Sequence, residues 1–248
     1  AQWALLGSFE RDAADQIVDQ WLSFVPVREL TTEDTWFSVG MRGTASICYA
    51  AEGVRVPNHR SLSFRRALAG EFPCGLDVGP LYRSSLAAFL PLSLTGPLVG
   101  LARAALEHAI DVAPRRVIPG TIFKRQSDSS AFQSQIARAA LLIDDAELRM
   151  RDAARVVDAA AEHHELPPLA TRSLLRARAA QIAAGVIEAV GVVMSAHGAG
   201  GFAESNPLQR IWRDVNVGAR HAVLLDSVAL EAYGRVLLGV EPNVALML

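Results

Sequence analysis

The chain has 248 residues, is 51% hydrophobic and carries a formal charge of −2. That length and apolar content suffice for a buried core in one or two domains, and the balanced charge argues against nucleic acid as a partner. Cys48 and Cys74 are far apart and outside metal-ligand spacing, so no metal site is read from them and a reduced, cytoplasmic setting is the default.

No uninterrupted apolar run reaches the roughly 20 residues of a membrane span, so no membrane is expected as a partner. The opening Ala1-Gln2-Trp3-Ala4-Leu5-Leu6 lacks the basic n-region of a signal peptide. Residues 1–60 hold short apolar runs punctuated by Gly, Pro, Thr and Asp. Trp3 to Phe9, Trp21 to Val25, Thr35 to Val39, Ser46 to Ala51 and Val54 to Val56 each read as strands. Residues 61–80, with Gly70, Pro73, Gly75, Gly79 and Pro80, read as a linker.

From residue 81 to 248 the texture is helical. A first helix is predicted over Tyr82 to Ala113, interrupted near Thr95-Gly96-Pro97 and stopped by Pro114. A second spans Ser129 to Glu162, where Phe132, Ile136, Ile143, Met150 and Val157 recur at helical intervals. Pro167-Pro168 opens a third, which runs towards Gly198, and a fourth is predicted from Pro207 to Leu238. Long helices with short connections imply an antiparallel bundle. The expected class is mainly α, with a four-helix up-down bundle behind part of a small β-barrel-like domain.

The richest segment runs from Gly200-Gly201 to His221. The glycines permit a turn and close backbone approach. Ser205 or Asn206 suits the N-cap of the fourth helix, and Pro207 its first position. On that helix Arg210, Asp214, Gly218 and His221 would share one stripe, with Arg210 and Asp214 one turn apart. From the residues alone, a solvated charged face with a surface histidine is an equally good reading.

The segment Gly200 to Asp214 resembles the C-terminal signature of the acyl-CoA dehydrogenase superfamily. Trp36-Phe37-Ser38-Val39-Gly40-Met41-Arg42-Gly43-Thr44-Ala45-Ser46, followed by Val54-Arg55-Val56-Pro57, resembles the close of that superfamily's middle β-domain. Residues Gly96 to Leu106 resemble the first long bundle helix. The likeness implies domains at 1–60 (partial middle β-domain), 61–80 (linker) and 81–248 (helical bundle), with an N-terminal helical domain expected upstream of Ala1.

Acyl-CoA dehydrogenases commonly carry "Y-E-G-T" after the Arg-Asp pair. Here Arg213-Asp214 is followed by Val215-Asn216-Val217-Gly218-Ala219-Arg220-His221. A histidine there is similar to the branch of reduced-flavin hydroxylases fed by a separate NAD(P)H flavin reductase. The resemblance implies an oxygenase component acting on an aromatic or polyketide-derived phenol through a flavin C4a-hydroperoxide. It further implies reduced FMN, with FADH2 as the alternative, O2 as co-substrate and a homotetramer. His221 would hold or supply the proton during oxygen transfer, for which an ordinary imidazole pKa of about 6.5 is suited. The rival readings are an amino-sugar N-oxygenase, an acyl-CoA dehydrogenase-like desaturase and a non-catalytic helical scaffold.

Cofactor phosphate requires cations or free N–H groups. The connection from Pro114 to Arg125 offers Arg115, Arg116, Lys124 and Arg125, and in the superfamily one such arginine reaches the flavin phosphate across a subunit interface. Phe132-Gln133 resembles the "F-Q" that follows. The dehydrogenase pattern "R-x-x-F-G" is absent, so the choice stays open among the four, with Arg116, Lys124 and Arg125 carried forward. His197, directly before the glycine turn, joins Gly200 and Gly201 as expected cofactor contacts. His163-His164 read as loop, His108 as a helix face, and His59 follows the β-domain exit. There is no GxGxxG fingerprint and no P-loop motif, so a Rossmann mode of binding is not expected.

Overall fold

A computed structural model describes residues 1–72, 79–241, 243–245 and 247–248. The expected linker markers Pro73 and Gly75, with Cys74, lie outside the described residues.

Strand β1 (Trp3–Arg11) and strand β2 (Ile17–Pro26) form an antiparallel hairpin in register from Trp3↔Pro26 to Phe9↔Gln20, shifting at Glu10/Arg11. Asp12 organises the turn, its Oδ1 accepting from Ala14 N at 2.8 Å and Gln16 N at 2.9 Å. Strands β3 (Thr31–Glu33) and β4 (Cys48–Ala50) make a separate antiparallel ladder. Strand β5 (Ser61–Ser63) joins the free edge of β2, with Trp21 opposite Ser63.

Two expected strands are absent. Residues 34–41 form a loop, because their polar groups bond locally or to the helical part instead of to a ladder. Trp36 Nε1 donates to the Met41 carbonyl at 2.9 Å, Phe37 N to the Thr35 carbonyl at 3.2 Å, and Arg213 to the Val39 carbonyl. Val54 to Val56 is cut short between Gly53, at a φ of 64°, and Pro57, which has no N–H to give. Inside the expected linker, Ser63 ends β5 and caps helix α1 (Phe64–Leu68), its Oγ accepting from Arg66 N at 3.1 Å.

The helical part comprises α2 (Leu86–Ser93), α3 (Thr95–Val112), α4 (Ser130–Glu162), α5 (Leu169–His197), α6 (Pro207–Gly218) and α7 (Asp226–Leu238). The break expected near Thr95 separates α2 from α3. Helix α5 is the centre, packed by α2, α3, α4, α6 and α7. Its Leu175, Ile182, Val186, Val190 and Val193 are fully enclosed, and Ala179, Ala180, Ala183 and Ala189 let neighbouring helices approach closely. A helix buried on nearly every side is apolar nearly all round. Leu86–Arg115 and Leu169–His197 are each long and apolar enough to cross a membrane by composition, and 44% and 50% of their apolar windows are buried inside the bundle.

The fourth long helix is a correction. It stops at Gly218, and α7 starts afresh at Asp226 after a 3-10 turn at Ala222–Leu224. Gly218 sits tight against α3, where an added Cβ would lie 3.2 Å from Leu98 Cδ2. His221 Nδ1 accepts from Val223 N at 3.3 Å, capping the new turn. The stripe from Arg210 to His221 therefore does not exist: His221 lies outside the helix that carries Arg210 and Asp214. Together α6 and α7 fill the place of the fourth helix, and the mainly α class holds.

Candidate functional site

Helix α5 ends on Gly198, whose φ of 79° suits only glycine, and the chain then folds back through Gly200 and Gly201 to start α6. Asn206 is the residue that caps α6, its Oδ1 accepting from Leu208 N at 3.0 Å. Its amide nitrogen donates to the Gly200 carbonyl at 3.1 Å and faces His197 Nε2 at 3.0 Å. Two backbone bonds thus fix which end of the amide meets the ring. Nε2 must accept, so the neutral imidazole carries its proton on Nδ1.

His197 is only 5% exposed. Burial, then the positive charge of Arg116, then His108 push its pKa down to about 4. The two histidine rings stand 5.9 Å apart between centroids. His197 Nδ1 and Arg116 Nη1 are both buried without a hydrogen-bond partner among the described residues. Such atoms are costly to leave unpaired.

An open hollow of about 460 Å³ gathers His108, Arg115, Arg116, His197, Gly200 and Asn206. Three expected cofactor contacts, Arg116, His197 and Gly200, therefore meet at one place. A Cβ on Gly200 would come 3.3 Å from Arg116 Nη2, a tight contact that the guanidinium would have to shift to relieve. Gly201 sits behind, packed on His197 and Met194. Arg115 reaches the same hollow but pairs with Asp111 at 2.7 Å. Cations at a glycine-rich turn suit a phosphate or similar anion.

Lys124 and Arg125 are exposed and do not line this hollow. Arg125 pairs with Asp128 at 2.9 Å, which raises its already high pKa. The connection nevertheless holds Arg116 in position, because Gln126 N donates to the Arg116 carbonyl at 2.7 Å. His221 is exposed and lies outside the same lining set. His108 was missed as a site residue: it sits 89 positions before His197, and no spacing rule links them.

Residues 92–225, more than half of the chain, match the family model described as acyl-CoA dehydrogenase, C-terminal domain. The chain belongs to this family. Family membership accounts for the helical bundle and for the glycine turn followed by Arg213-Asp214. The FADH(2)-dependent resorcinol hydroxylase oxygenase component of Rhizobium sp. (strain MTP-10005) is 31% identical, over 98% of this chain and 62% of its own length. The flavin-dependent monooxygenase oxygenase subunit HsaA of Rhodococcus jostii (strain RHA1) is 30% identical, over 94% of this chain and 61% of its own. The structure of XiaF from Streptomyces sp., in complex with FADH2 and glycerol, superposes on the whole chain with a TM-score of 0.91 and 37% identity, covering 62% of XiaF. The chain thus spans about three fifths of the length of these relatives.

Proposed function

We propose that this chain belongs to the oxygenase component of a two-component flavin-dependent monooxygenase that hydroxylates an aromatic or polyketide-derived phenol. The carrying observation is the 37% identity to the FADH2-bound XiaF across the full chain, at a TM-score of 0.91. Two relatives carry FADH2 in their descriptions, which favours reduced FAD over the reduced FMN first expected. O2 as co-substrate, a separate NAD(P)H flavin reductase, a homotetramer and a cytoplasmic setting complete the proposal.

The residues present fit such a cofactor. Arg116, with a buried and unpartnered Nη1, and the bare backbone at Gly200 would hold a flavin phosphate in the hollow beside His197. Neutral His197 adds a polar wall without adding charge. Reduced flavin, when bound, activates O2 and supplies the oxygen atom that is transferred. His221 would handle the accompanying proton through Nε2, because its Nδ1 is already occupied by the N–H of Val223. A neighbouring subunit would cover His221 and keep water out. The proposed use of histidine in place of a glutamate base sets this reading apart from a desaturase.

The test is an anaerobic titration of the purified oxygenase with reduced FAD, followed by mixing with O2 and a phenolic substrate. Binding of reduced FAD and hydroxylated product are expected, and His221→Asn is expected to lower product formed per flavin oxidised. Failure to bind reduced flavin overturns the proposal. Unchanged coupling in His221→Asn removes only that residue from it.

A further inference from the structure

A second hollow lies between the β-hairpin and the helices and has a volume of about 690 Å³. Its walls are apolar: Phe9, Ile17, Phe64, Val223, Val228 and Met247. Asp19, Gln20, Arg65 and Arg176 break that pattern, and Arg176 is the buried cation among them. Arg176, from the central helix α5, is 5% exposed and makes no ion pair among the described residues. Its Nη1 donates to the Met247 carbonyl at 3.0 Å, and its Nε is buried with no acceptor among the described residues.

A guanidinium has five N–H donors and a full charge, and one carbonyl dipole neutralises neither. Burying an uncompensated cation is among the costlier things a fold can do. Arg172, one turn earlier on the same helix, also has a buried Nε without a partner, and burial pulls both guanidiniums below the usual arginine pKa. Arg65 lines the hollow as well. The carboxylate that lines it, Asp19, is already engaged by Ser63 Oγ at 2.5 Å, Gln20 N at 2.7 Å and Arg65 N at 3.4 Å. The hollow is therefore mostly apolar in its lining, with two cations, Arg65 and Arg176, against one carboxylate, Asp19.

We infer that this hollow is a binding site for an amphipathic carboxylate, an apolar ring or acyl body filling the walls and its carboxylate pairing with Arg176. A carboxylate matches the planar fork of a guanidinium in two parallel hydrogen bonds, and a charge-assisted pair is strong once water is excluded. The volume falls in the range of small-molecule sites. The site is distinct from the hollow at Arg116 and His197, with no lining residue in common. It stands whether or not the flavin proposal does, since it requires no flavin.

The experiment titrates the flavin-free oxygenase calorimetrically with two probes of equal shape, naphthalene-1-carboxylate and neutral naphthalene-1-carboxamide. The carboxylate is expected to bind about tenfold more tightly or better, as a charge-assisted pair requires. Arg176→Met should erase that preference while amide binding persists, and Val228→Trp, which fills the hollow, should weaken both probes. Should Arg176→Met fail to fold, the nitrogen-15 spectrum of the wild-type protein decides: the Arg176 Nε–H signal must move on adding carboxylate and not on adding amide. Equal affinity for the two probes, no binding of either, a preference surviving in Arg176→Met, or an unmoved Nε–H signal each overturn the inference.

Discussion

Asp214 Oδ1 accepts a 2.6 Å hydrogen bond from the backbone N–H of Met41, joining residues 173 positions apart. Its neighbour Arg213 donates to the Val39 carbonyl on the same loop. Gly40, between them, lies so close to α6 that an added Cβ would stand 2.3 Å from the Arg213 carbonyl oxygen. The Arg-Asp pair is thus a clamp that fastens the β-rich part to the helical bundle, and the loop it grips is the one that resembles the β-domain signature.

Removing that clamp should cost stability. Asp214→Ala deletes a hydrogen bond to a charged acceptor, for which a loss of about 1.5–3 kcal/mol is expected. Gly40→Ala should cost more, because the obstacle is backbone and cannot rotate away. Urea unfolding followed by tryptophan fluorescence checks both, Trp36 being bonded to the Met41 carbonyl of the same loop. A loss below about 0.5 kcal/mol, the ordinary scatter of surface substitutions, in both variants would refute the clamp.

His197 makes stability depend on pH. Its folded pKa of about 4 lies below the ordinary 6.5, so between these values the unfolded chain binds a proton that the folded one does not. Stability therefore falls as pH drops from 6.5 to 4, and the full span amounts to on the order of 3 kcal/mol. In His197→Gln this part of the slope should vanish. Unfolding curves at several pH values, for wild type and variant, give the answer; parallel slopes would contradict the buried neutral imidazole.

Much of this was legible beforehand, and the failures share a cause. Helices α4 and α5 announce themselves because a long amphipathic or buried helix repeats its apolar residues many times, as Phe132, Ile143 and Val157 do. The strand expected at Thr35 to Val39 failed because its alternating apolar residues Phe37 and Val39 face outwards at 83% and 69% exposure, while the backbone is claimed by α6. No local pattern reveals a partner 173 residues away. The same holds for the site. The glycine turn and Arg116 are visible as residue types, but the meeting of His108 with His197 depends on how α3 lies along α5. His221 was read as part of a continuous helix, and the structure corrects this, because Val217-Gly218-Ala219 carries only a weak helix-stop signal.

Asn206 sets the tautomer of neutral His197, because its amide N–H faces Nε2. Its Oδ1 is committed to the cap of α6 and its amide hydrogens to Gly200 and His197. Asn206→Asp keeps the cap acceptor but turns a carboxylate oxygen towards Nε2, which then gains by becoming a donor. The imidazolium is stabilised, and the His197 pKa should rise from about 4 towards or past its ordinary 6.5. Asn206→Ala instead removes the cap and should cost about 1 kcal/mol or more. A proton NMR titration of the His197 Cε1–H resonance separates the cases. A ring that still fails to titrate above pH 5 in Asn206→Asp would sink the assignment.

The basic connection offers the last test, because its cations now differ in circumstance. Arg116 Nη1 is buried and unpartnered beside the Gly200 backbone, Arg125 is paired with Asp128, and Lys124 is exposed. A phosphate placed in the hollow would satisfy Arg116 without breaking an existing pair, whereas recruiting Arg125 requires giving up Asp128. Arg116→Ala should therefore weaken reduced-FAD binding by about tenfold to a hundredfold, the range of a lost charge-assisted hydrogen bond. Lys124→Ala and Arg125→Ala should change it by less than about threefold, as expected of solvent-exposed charges. Gly200→Val, which pushes a branched side chain against Arg116 Nη2, should resemble Arg116→Ala. Anaerobic equilibrium titration of the four variants ranks them directly, and a larger loss in Lys124→Ala or Arg125→Ala than in Arg116→Ala would move the phosphate contact out of this hollow.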